Sequence, residues 1–212
     1  MKKLTVAALA VTTLLSGSAF AHEAGEFFMR AGSATVRPTE GAGGTLGSLG
    51  GFSVTNNTQL GLTFTYMATD NIGVELLAAT PFRHKIGTRA TGDIATVHHL
   101  PPTLMAQWYF GDDSSKFRPY VGAGINYTTF FDNGFNDHGK EAGLSDLSLK
   151  DSWGAAGQVG VDYLINRDWL VNMSVWYMDI DTTANYKLGG AQQHDSVRLD
   201  PWVFMFSAGY RF

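Results

Sequence analysis

From residue 60 onward the chain alternates between apolar and polar or small side chains. Leu60, Leu62, Phe64, Tyr66 and Ala68 share one face of their segment, while Gly61, Thr63, Thr65 and Met67 share the other. Period two of this kind predicts a strand with one apolar face. The same pattern recurs over 72–82 (Val74, Leu76 and Ala78 against Glu75 and Leu77) and over 97–110 (Leu104, Ala106, Trp108 and Phe110 against Thr103, Gln107 and Tyr109). It returns over 117–131, with Val121, Ala123, Ile125 and Tyr127 opposite Arg118, Gly122, Gly124 and Asn126. In 153–165, Val159, Val161 and Tyr163 oppose Gln158, Gly160 and Asp162; in 169–180, Val171, Met173, Val175 and Tyr177 oppose Asn172 and Ser174. A last strand over 202–212 carries Trp202, Phe204, Phe206, Ala208, Tyr210 and Phe212 on one face. The first, 27–36, has a weaker pattern that turns Arg30 inward and Phe27, Met29 and Ala31 outward.

These eight predicted strands are joined unequally. Short turns at 69–71, 111–116 and 166–168 alternate strictly with long polar or Gly-rich connections at 37–57, 83–96, 132–151 and 183–196. Membrane barrels segregate their connections in this way, short on the periplasmic side and long outside. A soluble sandwich has no reason to do so, nor to ring its strand ends with Trp, Tyr and Phe. The predicted fold is all-β: an eight-stranded antiparallel transmembrane β-barrel with short periplasmic turns and four longer extracellular loops. Both termini then lie on the periplasmic side.

Composition removes the competing membrane class. Mean hydropathy is −0.05, and beyond the N-terminus no run approaches the roughly 18 apolar residues of a membrane helix. A barrel strand needs only every second residue apolar, so its average conceals the membrane face. At the N-terminus Lys2 and Lys3 precede an apolar stretch from Val6 to Leu15 and the small-x-small box Ala19-Phe20-Ala21, the three parts of a secretory leader. Residues 1–21 are therefore predicted to be a signal peptide cleaved between Ala21 and His22, leaving 22–212 as a single barrel domain. Removing Lys2 and Lys3 leaves 13 basic against 19 acidic residues, which excludes nucleic acid as a partner on charge. There is no cysteine, hence neither disulfide nor thiol site.

The leader and its Ala-Phe-Ala box, Leu100-Pro101-Pro102-Thr103, Lys116-Phe117-Arg118-Pro119-Tyr120-Val121-Gly122-Ala123-Gly124 and the closing Gly209-Tyr210-Arg211-Phe212 together resemble the outer membrane protein W family, closely so its enterobacterial member. The resemblance spans the whole chain. It implies a narrow barrel with an unusually apolar lumen that passes small hydrophobic molecules. The terminal aromatics Tyr210 and Phe212 are similar to the C-terminal signal read by the barrel insertion machinery of outer-membrane proteins.

Eight strands enclose room for side chains or one small ligand, so the bore lining matters more than its width. The registers above turn Met67, Leu77, Met105, Trp176, Met178, Val203 and Met205 inward, with Glu75, Gln107, Arg118, Gln158, Asp162 and Asn172 as polar companions. Leu77 and Trp176, bulky and on opposite sides of the strand order, are the predicted constriction; the plainer reading is packing that plugs the bore. Pro101 and Pro102 each lack a ladder donor. They predict either a bulge above the membrane or a lateral seam through which a ligand reaches lipid. Remaining candidates are weak. Gly41 to Gly51 reads as a flexible loop, His98-His99 lack metal-ligand spacing, Asn56-Asn57-Thr58 is a chance sequon, Asp112-Asp113 a solvated turn, and no Ser/His/Asp set or cofactor motif is visible. The expected function is a narrow apolar channel for small hydrophobic ligands, in contact with outer-membrane lipids. The alternative is a structural or surface-interaction barrel serving as receptor for phage or bacteriocin at its loops. A lipid-modifying enzyme ranks third for want of a catalytic set.

Overall fold

The computed structural model describes residues 21–48, 50–89, 91–112 and 114–212. The predicted leader up to Phe20, and Asp113 of the acidic turn, lie outside them. In chain order the described elements are β1 (Phe27–Arg37), β2 (Gly41–Ala42), α1 (Gly44–Ser48), β3 (Ser53–Val54), β4 (Asn57–Met67), β5 (Ile72–Ala79), β6 (Phe82–Thr88), β7 (Gly92–Leu100), β8 (Thr103–Tyr109), β9 (Phe117–Phe135), α2 (Asp137–Glu141), β10 (Leu144–Leu149), β11 (Ser152–Leu164), β12 (Trp169–Met178), β13 (Asp181–Leu188), β14 (Ala191–Arg198) and β15 (Trp202–Arg211).

Eight of these close the barrel in the order β11-β12-β15-β1-β4-β5-β8-β9, and β9 pairs back onto β11. Every neighbouring pair is antiparallel, and closure leaves no strand edge for lipid to leave unsatisfied. The predicted faces hold. Leu76, Leu104, Val121, Ile125, Val159, Met173, Phe204 and Phe206 are exposed on the outer wall, where acyl chains meet them. Aromatic girdles flank this band. Trp153, Tyr177 and Trp202 mark the outer rim, while Tyr66, Trp108, Phe110, Phe117, Tyr163, Trp169 and Phe212 mark the rim carrying the short turns. Phe212 packs beside Phe27, ring centroids 5.7 Å apart, and its N–H donates to the Phe27 carbonyl at 2.9 Å.

The long connections differ from expectation. Residues 83–96 lie within the β6–β7 hairpin (Arg83 opposite His98, Ile86 opposite Ala95), and 183–196 within the β13–β14 hairpin. Residues 37–57 contain β2, α1 and β3, while 132–151 contain the end of β9, α2 and β10. Polarity marked these segments as exposed, but exposed backbone still satisfies its N–H and C=O groups by pairing. The hairpins stand above the outer girdle and cap the barrel. Two further strands are shorter than predicted. The strand expected over 97–110 divides at Pro101-Pro102, and that expected over 72–82 pauses after Ala79, before Pro81.

α1 shows how the cap is fastened. Asp195 of β14 is buried and accepts the N–H groups of Thr45 (3.1 Å) and Leu46 (2.8 Å) and the Tyr186 hydroxyl (2.6 Å). Gly44 makes the approach possible: its φ is +60°, and a Cβ there would meet Asp195 Oδ1 at 1.9 Å, a contact no other residue tolerates. The Gly41 to Gly51 stretch is thus partly ordered around a buried carboxylate.

Candidate functional site

The bore is built in layers. At the short-turn end Phe28, Met67, Tyr109, Tyr120, Leu164 and Leu170 form one buried cluster. His22 enters it from below, stacked on Phe28 at 4.5 Å, with Nε2 2.9 Å from Asp162. Ala21, the other residue of the predicted cleavage site, is buried beside it and accepts a bond from Arg211 at 2.9 Å.

Next comes a polar belt centred on Arg30. Its Nε donates to Asp162 Oδ1 at 3.1 Å, its Nη1 pairs with Glu75 and donates to Thr65 Oγ1 at 3.1 Å, and its Nη2 donates to the Tyr109 hydroxyl at 2.8 Å. Gln107 and Gln158 both donate to Glu75 Oε1, at 2.8 and 2.9 Å. Asn172 donates to Asp162 at 2.8 Å and to the Tyr120 hydroxyl at 2.9 Å. Seven of the eight barrel strands contribute, and Arg30, Glu75 and Asp162 are at most 1% exposed. A buried cation and two buried carboxylates are tolerable only when paired and hydrogen-bonded throughout. This belt meets that condition and fills the bore. Glu75, Gln107, Gln158, Asp162 and Asn172 were each legible as inward; that they converge on Arg30 was not, because period two gives the face of a residue and not its height. Arg118, also expected inward, is buried lower down, donating to the Asp70 carbonyl at 2.8 Å.

Above the belt the lining turns mainly apolar, with one polar trio in which Asn126 donates to Thr103 Oγ1 at 2.8 Å and accepts from Thr128 Oγ1 at 2.7 Å. Leu77, Met105, Trp176, Met178, Val203 and Met205 are all buried and belong to one cluster, as their register predicts. Met67 faces inward too but sits in the lower cluster, apart from them. Leu77 on β5 and Trp176 on β12 lie four strands apart around the circuit in either direction, and the indole Nε1 donates to Ser174 Oγ at 3.1 Å. Replacing both by alanine is expected to widen this zone. Uptake of an apolar probe should rise while ionic conductance stays at the wild-type level, because the belt below is untouched. Unchanged uptake in a folded double variant would return both residues to simple packing.

The cluster continues into the cap, where Leu46, Phe52, Ile86, Ile94, Phe135, Leu147, Ala184 and Val197 surround a cavity of only about 20 Å³, room for one water-sized group. Nearer the barrel, against Phe82 and Phe130 of the same cluster, two imidazoles meet. His84 of β6 and His99 of β7 approach Nε2 to Nε2 at 2.9 Å, and His84 Nδ1 lies 2.5 Å from the Thr55 carbonyl. Burial, and after it the neighbouring His84, push His99 down to about 3. Burial likewise pushes His84 down, with the Thr55 carbonyl opposing and His98 assisting. Both rings are neutral when folded, whereas in an opened hairpin they take up protons below about pH 6.5. The open state then binds more protons than the closed one, so hairpin stability falls as pH drops from about 6.5 toward 3. Amide exchange at Val97 to Leu100, corrected for intrinsic rates, should quicken between about pH 7 and pH 5 in the wild type and less so in His99→Phe, where only His84 is left to titrate.

At the foot of the chamber the wall is interrupted. Pairing between β5 and β8 stops at Leu77 opposite Thr103, and pairing between β6 and β7 resumes at Phe82 opposite His99. Pro81 stands on one side of the gap, Pro101 and Pro102 on the other. Toward β9 the ladder keeps its register, Leu100 opposite Thr129 and Thr103 opposite Asn126, with Tyr127 N–H donating to the Pro102 carbonyl at 3.0 Å. The irregularity on that side lies between Thr96 and His98 instead. The prolines therefore mark a one-sided gap at the height of the outer girdle. Elsewhere on that rim Asp179, Asp181 and Asp200 bring carboxylate oxygens within 4.8 Å of one another, an exposed acidic cluster of a kind common without any ion.

Comparison with known proteins agrees with this architecture. The family model described as OmpW family matches residues 23–212. The chain is 89% identical to outer membrane protein W of Salmonella typhi over 212 residues, covering all of both chains. Among solved structures, the solution structure of outer membrane protein W of E. coli is 99% identical, covering 90% of this chain and all of its own, with a TM-score of 0.63. The crystal structure of OprG from Pseudomonas aeruginosa is 43% identical, covers 92% of this chain and 99% of its own, and superposes with a TM-score of 0.83. A closed eight-stranded barrel with two aromatic girdles, matched along its length by outer-membrane proteins of this kind, is a bacterial outer-membrane protein, and the chain belongs to the OmpW family.

Proposed function

We propose that the barrel takes small hydrophobic molecules from outside into the apolar chamber and releases them sideways into the membrane, through the gap at Pro81, Pro101 and Pro102. The observation that carries this reading is the layering of the bore. Above the belt the buried lining is mainly apolar and, among the described residues, carries no ion pair, its polar trio Thr103, Asn126 and Thr128 being hydrogen-bonded among themselves; at the belt the bore is crossed by the Arg30 network. An apolar solute that reached the belt would have to displace paired charges in a low-dielectric interior, which is strongly unfavourable. The wall gap lies above the belt and opens toward lipid, where such a solute is stable. A more distant relative, 26% identical over 166 residues, is named dibenzothiophene metabolism operon protein PahQ of Pseudomonas aeruginosa, a name that points to an apolar polycycle. On this reading the protein is a conduit and not an enzyme.

The test pairs two fluxes through the folded protein in planar bilayers and vesicles. Uptake of an apolar fluorescent probe should exceed that of protein-free vesicles, while single-channel ionic conductance stays near the bilayer background. Sizeable ionic conductance would contradict the closed belt, and probe uptake equal to bare vesicles would leave the barrel a structural or receptor protein.

A further inference from the structure

Against the apolar cluster that runs from the bore into the cap lies a buried polar atom that the conduit reading does not use. His84 Nδ1–H donates to the Thr55 carbonyl, so His84 Nε2 carries a lone pair; His99 Nε2–H donates to it. This relay fixes both tautomers and leaves His99 Nδ1 as a bare acceptor. His99 is 2% exposed, and among the described residues its Nδ1 has no hydrogen-bond partner. The ring lies against Phe82 and Phe130, centroids 5.5 and 6.0 Å away, and both phenyl rings belong to the same buried apolar cluster as the residues around the cap cavity. Along β7 it is two residues from Pro101, so it stands where chamber and wall gap meet.

A buried acceptor left unpaired costs its full desolvation. The two Nε2 atoms are committed to each other by the proton between them, so the relay leaves His99 Nδ1 as that ring's free position. We propose that His99 Nδ1 is the chamber's recognition point, selecting apolar molecules that carry one hydrogen-bond donor, such as phenols, alkanols or indoles, over hydrocarbons and ethers of the same shape. The inference rests on the chamber being a binding place for apolar molecules, and it narrows their class. An incoming O–H or N–H pairs with the bare nitrogen and removes the desolvation cost; a C–H or an ether oxygen leaves it. Sites with a committed polar partner discriminate against analogues lacking the matching group for this reason. The phenyl rings of Phe82 and Phe130 supply the apolar contact that a hydrocarbon body needs, and Thr55, held by His84, keeps the relay from reversing.

The decisive measurement uses the folded full-length barrel in phospholipid nanodiscs, uniformly ¹⁵N-labelled, with two probes, 1-naphthol and 1-methoxynaphthalene. Addition of 1-naphthol should move the His99 Nδ1 resonance toward the hydrogen-bonded range, and 1-methoxynaphthalene should not. The affinity ratio between the two should be about 3- to 10-fold, the value of one net hydrogen bond, and should fall to about one in His99→Phe, which keeps an aromatic ring in place. If both probes shift Ile94 and Phe135 signals but neither moves His99 Nδ1, or both move it alike, this assignment is overturned and the conduit reading stands. If neither probe disturbs any chamber residue, the conduit reading falls, and the assignment with it. The wild-type titration decides the matter even where the variant fails to fold.

Discussion

Arg30→Ala is expected to destabilise the barrel by about 3–5 kcal/mol, the range for removing one partner of a buried charge network. The substitution strips Glu75 and Asp162 of their shared cation and leaves two fully buried carboxylates near each other. It also removes the N–H groups that the Thr65 and Tyr109 hydroxyls accept, leaving them the bonds they donate to Glu75 and Gln107. Unfolding in urea from detergent or lipid, followed by the heat-modifiable gel shift typical of barrels, measures the effect. A companion variant separates charge from packing. Arg30→Met with Glu75→Gln and Asp162→Asn removes all three charges at similar volume, and such replacements are often neutral or stabilising. It should recover most of the loss. Near-wild-type stability of Arg30→Ala alone would show that the belt is wetter than its burial indicates.

The second large effect concerns the wall gap. Pro101→Ala together with Pro102→Ala restores two N–H donors. One points toward β9, where the Pro102 carbonyl already holds the Tyr127 N–H; the other points at the interval between Leu77 and Phe82, where pairing is absent. A regained ladder bond contributes about 0.5–1.5 kcal/mol net. The gap should therefore close, lowering apolar uptake by about 2- to 10-fold, with the barrel at least as stable and ionic conductance unaltered. Equal or faster uptake in a stabilised variant would exclude the lateral route.

Much of this was readable in the chain before any coordinates. Period two places each barrel residue on its correct face, since a one-residue slip would turn Leu76 and Phe204 into the lumen and Glu75 into lipid. Two things escaped it. β14 reads Ala191-Gln-Gln-His-Asp-Ser-Val-Arg198 and shows no apolar alternation, because the inward position at Asp195 is occupied by a carboxylate serving α1. A strand standing in water needs so little apolar surface that its pattern resembles a loop. Height along the axis was the second omission. Met67 and Met205 share a direction, but barrel tilt and stagger set them in different layers. His84 and His99 likewise meet only through the Phe82 and His99 register, His84 lying in a segment whose composition predicts an irregular connection. The proline gap was legible as a defect; that it is one-sided required the ladder on β9.

The filled belt also bears on how the molecule would behave as a transport element in a living envelope. On the proposed route, a passage that ends in the acyl layer needs neither an energised step nor a shutter, because no solute has to cross the lower half of the barrel. Net movement is then an equilibration between the outside medium and the leaflet, set by the solute's oil–water partition and by whatever withdraws it further in. Such a device saturates when the leaflet fills, runs backwards when the outside is depleted, and can be present in many copies without short-circuiting ion gradients.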